Sequence, residues 1–424
     1  MRALLHLAAR SAWNRRGTLS LVMLSIALAT ALLLSLEGLR RDIRASFAQA
    51  VSGTDLVVGA RTGPVQLMLY AVFRVGGATN NISMDSVRAV AAHRAVAWTV
   101  PLSLGDSHRG HPVLGTTGAY FDHFAYGDRQ RLEMAEGRPF GPTLDHLYEA
   151  VIGAEVAQAL GYRLGSLLTL SHGMGGGPAA EHADKPFTVV GVLRRTGTPV
   201  DRTVHVSLQA IEAIHLDWAG GAPLPGLRIS AQDARKFELE PKQVTALLVG
   251  LKSRAAVFAV QRHVNNHPGE PLLAVLPGVA LDELWEVVGL GERALLAISG
   301  LVALVSLAGL VAVVLAGLNE RRRELAVLRA VGAGPRHVLA LLALEGMLVT
   351  LAGAVLGALA TGAAILLAGP WLQQQFGIGL QATAPAAGQW LWFGAVLAAG
   401  MLASLVPGWR AYRLSLADGL SPRT

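Results

Sequence analysis

The chain contains no cysteine. That excludes a disulfide framework and any thiolate metal site, and it leaves the compartment open, because a disulfide-free domain can fold on either side of a membrane. Charge is scarce as well: Asp, Glu, Lys and Arg make up 15% of 424 residues, against 52% hydrophobic residues, and the mean hydropathy is +0.44. A soluble chain of this length needs a more charged surface, so membrane insertion is the simpler account. Lysine occurs only as Lys185, Lys236, Lys242 and Lys252, never after a glycine. The Walker loop, which needs Gly-Lys-Ser/Thr to cradle phosphates, is therefore missing, and no Gly-x-Gly-x-x-Gly opens a helix. With no His-Glu-x-x-His or Gly-x-Ser-x-Gly pattern either, a hydrolase is weakly supported, and the chain is expected to bind no ATP or other cofactor itself.

Apolar sequence is abundant, and it comes in runs. Leu19–Leu36 holds no charge over a length that fits one spanning helix. Arg2, Arg10, Arg15 and Arg16 precede it as in a signal peptide, but Glu37, Arg40, Arg41, Asp42 and Arg44 follow without a small-residue cleavage site, so an uncleaved anchor is expected. Ala294–Leu318 is a second uncharged run. Gly346–Trp409 has no Asp, Glu, Lys or Arg and is too long for one helix; Pro370, Gln373, Gln374, Gln375, Gly377, Gly379 and Pro385 divide it in two.

Arginine flanks give the direction of each span. The amino-terminal four, then Arg321, Arg322, Arg323, Arg329 and Arg336, then Arg410, Arg413 and Arg423 mark cytoplasmic segments, whereas 370–388 is uncharged. Much of the net charge of +7 lies beside these runs, where it orients helices, and nucleic acid is not an expected partner. The expected fold is an α-helical integral membrane protein with four transmembrane helices and a large α+β extracytoplasmic domain between the first and second helices. Its segments are 1–18 cytoplasmic, 19–50 first span and stalk, 51–281 outer domain of two lobes, 282–318 stalk and second span, 319–337 cytoplasmic elbow, 338–369 third span, 370–388 outer loop, 389–409 fourth span, and 410–424 tail.

Within the outer domain the patterns predict strands at Asp55–Val58, Val96–Val100, Leu167–Leu170, Phe187–Leu193, Thr203–Val206, Leu227–Ile229 and Leu272–Val275. They predict helices at Asp85–Ala92, capped by Ser83 or Asp85, and at Glu155–Leu160, Leu208–Leu216, Pro241–Leu251 and Val257–Asn265. The apolar stretch Val65–Gly77, with Leu67, Met68, Leu69, Tyr70, Val72 and Phe73, either fills the core or contacts a lipid-like ligand. His108 with His111, His172 with His182 across a glycine-rich loop, and His263 with His267 form no specific ligand set. They read as polar surface residues, with no metal site expected.

Segment 319–337 reads as a helical elbow. Glu320 and Glu324 share a face with Arg323 nearby, Leu325, Leu328 and Val331 form an apolar stripe, and Gly332, Gly334 and Pro335 turn the chain into the next span. Docking of a cytoplasmic partner and simple snorkelling of the arginines are equally good accounts. Glu345, seven residues into an apolar run, is expensive in hydrocarbon and suits a structural coupling role better than a proton relay, for which no second embedded ionisable group exists. Gly346, Gly353 and Gly357, with Ala360, make a small-residue track for close helix contact, within the chain or in a dimer.

Three stretches resemble the FtsX/MacB-like, type VII ABC permeases, which include the lipoprotein-releasing permeases. They are Asn319–Ala333 with Glu345, Gly346, Gly353 and Gly357; Pro407–Arg413; and Ala9–Arg16. Val151–Glu155 with Leu160 and Gly161, and Phe187–Leu193, resemble the family's outer domain more loosely. The resemblance implies a permease subunit of an ATP-driven mechanotransmission or export complex in the bacterial inner membrane, handling an extracytoplasmic lipid, lipoprotein, peptide or drug. It implies that Glu320, Arg321, Arg322, Arg323, Glu324, Leu325, Leu328 and Arg329 form the coupling helix for a separate cytoplasmic ATPase dimer, which carries the ATP and Mg. A second permease copy and membrane lipids complete the expected partners, with room for a periplasmic adaptor, a substrate-binding protein or an outer-membrane factor. The alternatives are a scaffold that activates a cell-wall hydrolase and a membrane-anchored sensor.

Overall fold

The computed structural model describes residues 16–77, 80–173, 181–219, 222–320, 327, 329–376 and 387–413. The chain divides into two compact units, one of Met1–Asp42, Val288–Gln373 and Leu380–Thr424, the other of Ile43–Val287 and Gln374–Gly379.

The second unit is built on one mixed sheet. Its main strands are β1 (Leu56–Ala60), β2 (Val96–His108), β3 (His111–Thr116), β4 (Met134–Gly137), β5 (Glu149–Ile152), β6 (Phe187–Leu193), β7 (Val204–Ser207), β8 (Ala246–Leu251) and β9 (Leu272–Val275), in the order β9-β1-β8-β2-β3-β7-β5-β6-β4. Neighbours are antiparallel except β3 with β7 and β5 with β6, which are parallel. The β2–β3 hairpin turns on Arg109 and Gly110, at φ of 47° and 83°. Two positive φ values are what a two-residue loop needs to match the strand twist, and glycine supplies one without steric cost.

Helices cover both faces of the β9-β1-β8-β2 end. In β1, Leu56 and Val58 pack with Val87, Val90, Val260 and Val264, while Val57 turns to the opposite side with Leu67 and Met68. The period-two pleat thus buries every residue of the strand. The covering helices are α2 (Pro64–Ala71), α3 (Met84–Ala91) and α6 (Val257–Asn265). Ser83 caps α3 by accepting a hydrogen bond from the Ser86 N–H. The other end carries α4 (Ala154–Leu160) and α5 (Leu208–His215) over a core of Ile152, Val156, Phe187, Val189, Val204 and Ile214.

Among the described residues, four long helices account for the other apolar runs: α1 (Arg16–Gln49), α7 (Pro277–Glu320), α8 (Pro335–Phe376) and α9 (Ala387–Arg413). All four are long and apolar enough to cross a membrane. At 34 and 44 residues, α1 and α7 are far longer than the ~20 residues that span a hydrocarbon core, so each continues beyond it. In the first unit Leu19, Val22, Ile26, Leu310, Val314, Leu342, Val349 and Val396 form the packed interior. Its outer surface is apolar as well, with Leu28, Leu301, Leu304, Leu359, Leu367 and Leu391 exposed. A unit that is apolar inside and out is a membrane-embedded one.

Candidate helix-packing and coupling site

Glycine and hydroxyl residues set the packing of α8. A Cβ at Gly346 would lie 2.2 Å from Ser404 Oγ on α9, and one at Gly400 would lie 2.3 Å from Thr350 Cγ2. Thr350 donates to the Gly346 carbonyl at 2.8 Å, and Ser404 donates to the Gly400 carbonyl at 2.6 Å. Each hydroxyl therefore satisfies itself one turn back on its own helix while filling the hollow left by the glycine of the other. The α1 contact repeats the device. A Cβ at Gly353 would meet Met23 O and Ile26, one at Gly357 would lie 2.5 Å from Ala27 O, and Thr361 donates to Ala31 O at 3.2 Å.

Gly346, Gly353 and Gly357 thus pack inside this chain, the first against α9 and the other two against α1. The track continues through buried Thr361, whereas Ala360, expected to complete it, is exposed. The sequence carried the signal in Gly346-x-x-x-Thr350, Gly357-x-x-x-Thr361 and Gly400-x-x-x-Ser404, where a hydroxyl follows a glycine by one turn. Counting glycines alone overlooked Thr350, Thr361, Gly400 and Ser404. Glu345, just before Gly346, is fully buried in this unit. Further polar contacts tie α1 to its neighbours: Ser306 donates to Ser25 O at 3.3 Å, and Arg40 lies 3.5 Å from Glu292.

Of the expected coupling residues, Arg321, Arg322, Arg323, Glu324, Leu325 and Leu328 lie outside the described residues, and Glu320 is the last residue of α7. The described remainder is a helical turn. Val331 N–H donates to Val327 O at 3.0 Å, Gly332 N–H donates to Arg329 O, and Gly332 ends the turn at φ 103° before α8 begins. Val327 is 62% exposed and Val331 84% exposed. Four residues apart on a helix, they share one apolar face.

Two other expectations resolve toward the core. Leu67, Met68, Tyr70 and Phe73 are all buried in one cluster beneath the sheet, so they fill the core rather than offering a surface to a ligand. Polar surface is likewise the wrong description of His108 and His182, which are buried, as is His205; His108 uses Nδ1 on Thr169 O and Nε2 on Tyr162 OH.

Known proteins place this architecture. Residues 17–267 match the MacB-like periplasmic core domain, and residues 296–416 match the FtsX-like permease C-terminal domain. The chain belongs to the MacB and FtsX-like permease family. It is 24% identical over 241 residues to the lipoprotein-releasing system transmembrane protein LolC of Neisseria meningitidis serogroup B, a match covering 55% of this chain and 53% of LolC. The chain thus spans about half the length of that relative. The periplasmic region of MacB from Actinobacillus actinomycetemcomitans aligns at 10% identity and a TM-score of 0.34, covering 55% of this chain and 94% of that one. The extracellular domain of the ABC-type transporter YknZ from Gram-positive bacteria aligns at 13% identity and 0.31, covering 53% and 98%. Family members are permease subunits of ABC transporters.

Proposed function

We propose that this chain is the non-catalytic permease subunit of an ATP-driven mechanotransmission or export complex in a bacterial cytoplasmic membrane. Its termini and the 319–337 segment face the cytoplasm, and the sheet domain lies outside. The observation that carries the reading is the pairing of the two family domains with a charged segment joining α7 to α8, whose described turn presents Val327 and Val331 outward. An arginine-rich segment whose described turn has an apolar face suits a groove on a separate ATPase dimer, where ATP and Mg are bound. Glu320, Arg321, Arg322, Arg323, Glu324, Leu325, Leu328 and Arg329 make the contact. Closure of that dimer pulls on α7 and α8, and the interlocked glycine contacts of α8 with α1 and α9 pass the movement through the bundle as a body. The cargo is an extracytoplasmic lipid, lipoprotein, peptide or drug, and the likeness to a lipoprotein-releasing subunit favours a lipid-bearing one. A second permease copy completes the assembly.

Purification of the native complex in mild detergent tests the reading. A Walker-containing ATPase is expected to copurify, and replacing both Arg323→Glu and Leu328→Glu is expected to remove it, since a reversed charge and a charge in an apolar contact both oppose docking. Retention of the ATPase, with unchanged ATP turnover, would refute the assignment of this segment as the coupling element.

A further inference from the structure

Asp106, His172 and His215 converge in the sheet domain, away from everything used above. Asp106 lies on β2 where an extra residue between Leu104 and Ser107 shifts the register with β3, next to Gly105 at φ 146°. A bulge of this kind re-aims a side chain. His172 is the direct cross-strand partner of Asp106, from the short strand Ser171–His172. His215 is the last residue of α5. Two strands and a helix therefore hold three ligand-type atoms in a small triangle. His172 Nδ1 is 3.2 Å from Asp106 Oδ1 and 3.2 Å from His215 Nε2, and His215 Nε2 is 3.5 Å from Asp106 Oδ1.

Those edges have a specific meaning. A tetrahedral ion bonded to nitrogen and oxygen at roughly 2.0–2.1 Å keeps its ligand atoms about 3.3 Å apart. A centre about 2.05 Å from all three atoms here sits roughly 0.7 Å off their plane, close to the height of a tetrahedral centre above one of its faces. The second shell agrees. His215 Nδ1 is 2.8 Å from Ile211 O, so its N–H donates to that carbonyl and its Nε2 lone pair points into the triangle, the usual arrangement of a metal-binding imidazole. Asp106 is buried, which a carboxylate tolerates only beside compensating charge. His182 adjoins the cluster, with its ring 5.0 Å from that of His215 and 4.2 Å from that of Trp218. It is fully buried, and neither of its ring nitrogens has a hydrogen-bond partner among the described residues. A buried imidazole left unpartnered there marks a polar pocket beside the triangle, in which His182 is a neighbour and not one of the three ligands.

We propose that Asp106, His172 and His215 bind one divalent d-block cation of the zinc type, with one coordination position not filled by these three residues. The nitrogen-rich donor set excludes calcium and magnesium, which take oxygen ligands, and suits zinc. This departs from the expectation, drawn from sequence spacing alone, that no histidine binds metal.

The test uses the full chain in detergent, without a histidine tag, stripped with EDTA and titrated with zinc against a chromogenic chelator. One zinc per chain is expected, with affinity falling at least about tenfold in His172→Ala and in His215→Ala. Cobalt should give the strong visible bands of a tetrahedral site. Because the sequence has no cysteine, a thiolate-to-cobalt charge-transfer band in His172→Cys can come only from position 172. That half-exposed position also makes His172→Cys the deciding variant if His215→Ala fails to fold. Absence of the band, zinc binding unchanged in the alanine variants, or a wild type that takes up no stoichiometric zinc would overturn the proposal and leave a metal-free hydrogen-bonded His–Asp–His cluster.

Discussion

His205 shows how much one buried side chain decides. It sits on β7 with no exposed surface, its Nδ1 3.2 Å from Val151 O, and burial, reinforced by the Arg74 charge, pushes its pKa down to about 3. A depressed histidine pKa means that the unfolded chain binds the extra proton first. Stability contributed by the neutral ring is therefore complete above the unfolded pKa near 6.5 and is lost as pH falls from there toward 3. At pH 5.5 this single group should cost on the order of 1 kcal/mol. Thermal unfolding of the full chain between pH 7.5 and 5 would show the slope, and His205→Leu should reduce it; an unchanged slope would mean that another group sets the acid limb, such as His182, which burial holds down to about 4. Little of this was visible in sequence. Spacing can rule out a standard ligand motif, but it cannot say that His205 faces the core, or that a bulge turns Asp106 toward two histidines far along the chain. Ser83 was legible, because an N-cap depends on its own helix alone.

Among the elements, those whose pattern is set locally were read well and those set by tertiary burial were not. Phe187–Leu193 and Val257–Asn265 have the bounds that alternation and helical spacing predict. Pro241–Leu251, predicted as a helix, instead forms the short strand Gln243–Val244 and then β8. The reason is that Ala246–Leu251 lies between β1 and β2 and is apolar on both faces, and a continuous apolar run carries no period to separate strand from helix. Leu227–Ile229, predicted as a strand, forms none. Pro370 likewise lies inside α8 instead of ending it, as membrane helices tolerate. The glycine contacts of α8 give an element-scale test. Gly357→Ala places a methyl group 2.5 Å from Ala27 O and should destabilise the bundle by about 1–3 kcal/mol. Gly362→Ala, where no atom of the described residues lies within 4 Å, should be neutral or stabilise by up to about 1 kcal/mol through helix propensity. Matched thermal unfolding in one detergent would compare them, and equal effects would contradict the close approach of α1 and α8.

At the scale of the whole molecule, the apolar runs carry the four long helices because a bilayer imposes a length on each, while the arginine flanks carry the proposed direction of each span through the charge bias of short connections. Nothing comparable fixes the sheet order, which depends on pairings as remote as β1 with β8. The proposed arrangement across the membrane also has a direct test, helped by the absence of native cysteine. Val331→Cys, at an 84% exposed position in the arginine-bearing turn, and Leu167→Cys, at a 64% exposed position in the sheet domain, each create a unique thiol. A membrane-impermeant maleimide added to sealed spheroplasts should label Leu167→Cys and leave Val331→Cys unmodified until the membrane is permeabilised. The reverse pattern would put the coupling turn on the side that lacks ATP. The outward apolar face of Val327 and Val331 would then need another partner, and movement of α7 and α8 could no longer be driven by a cytoplasmic ATPase.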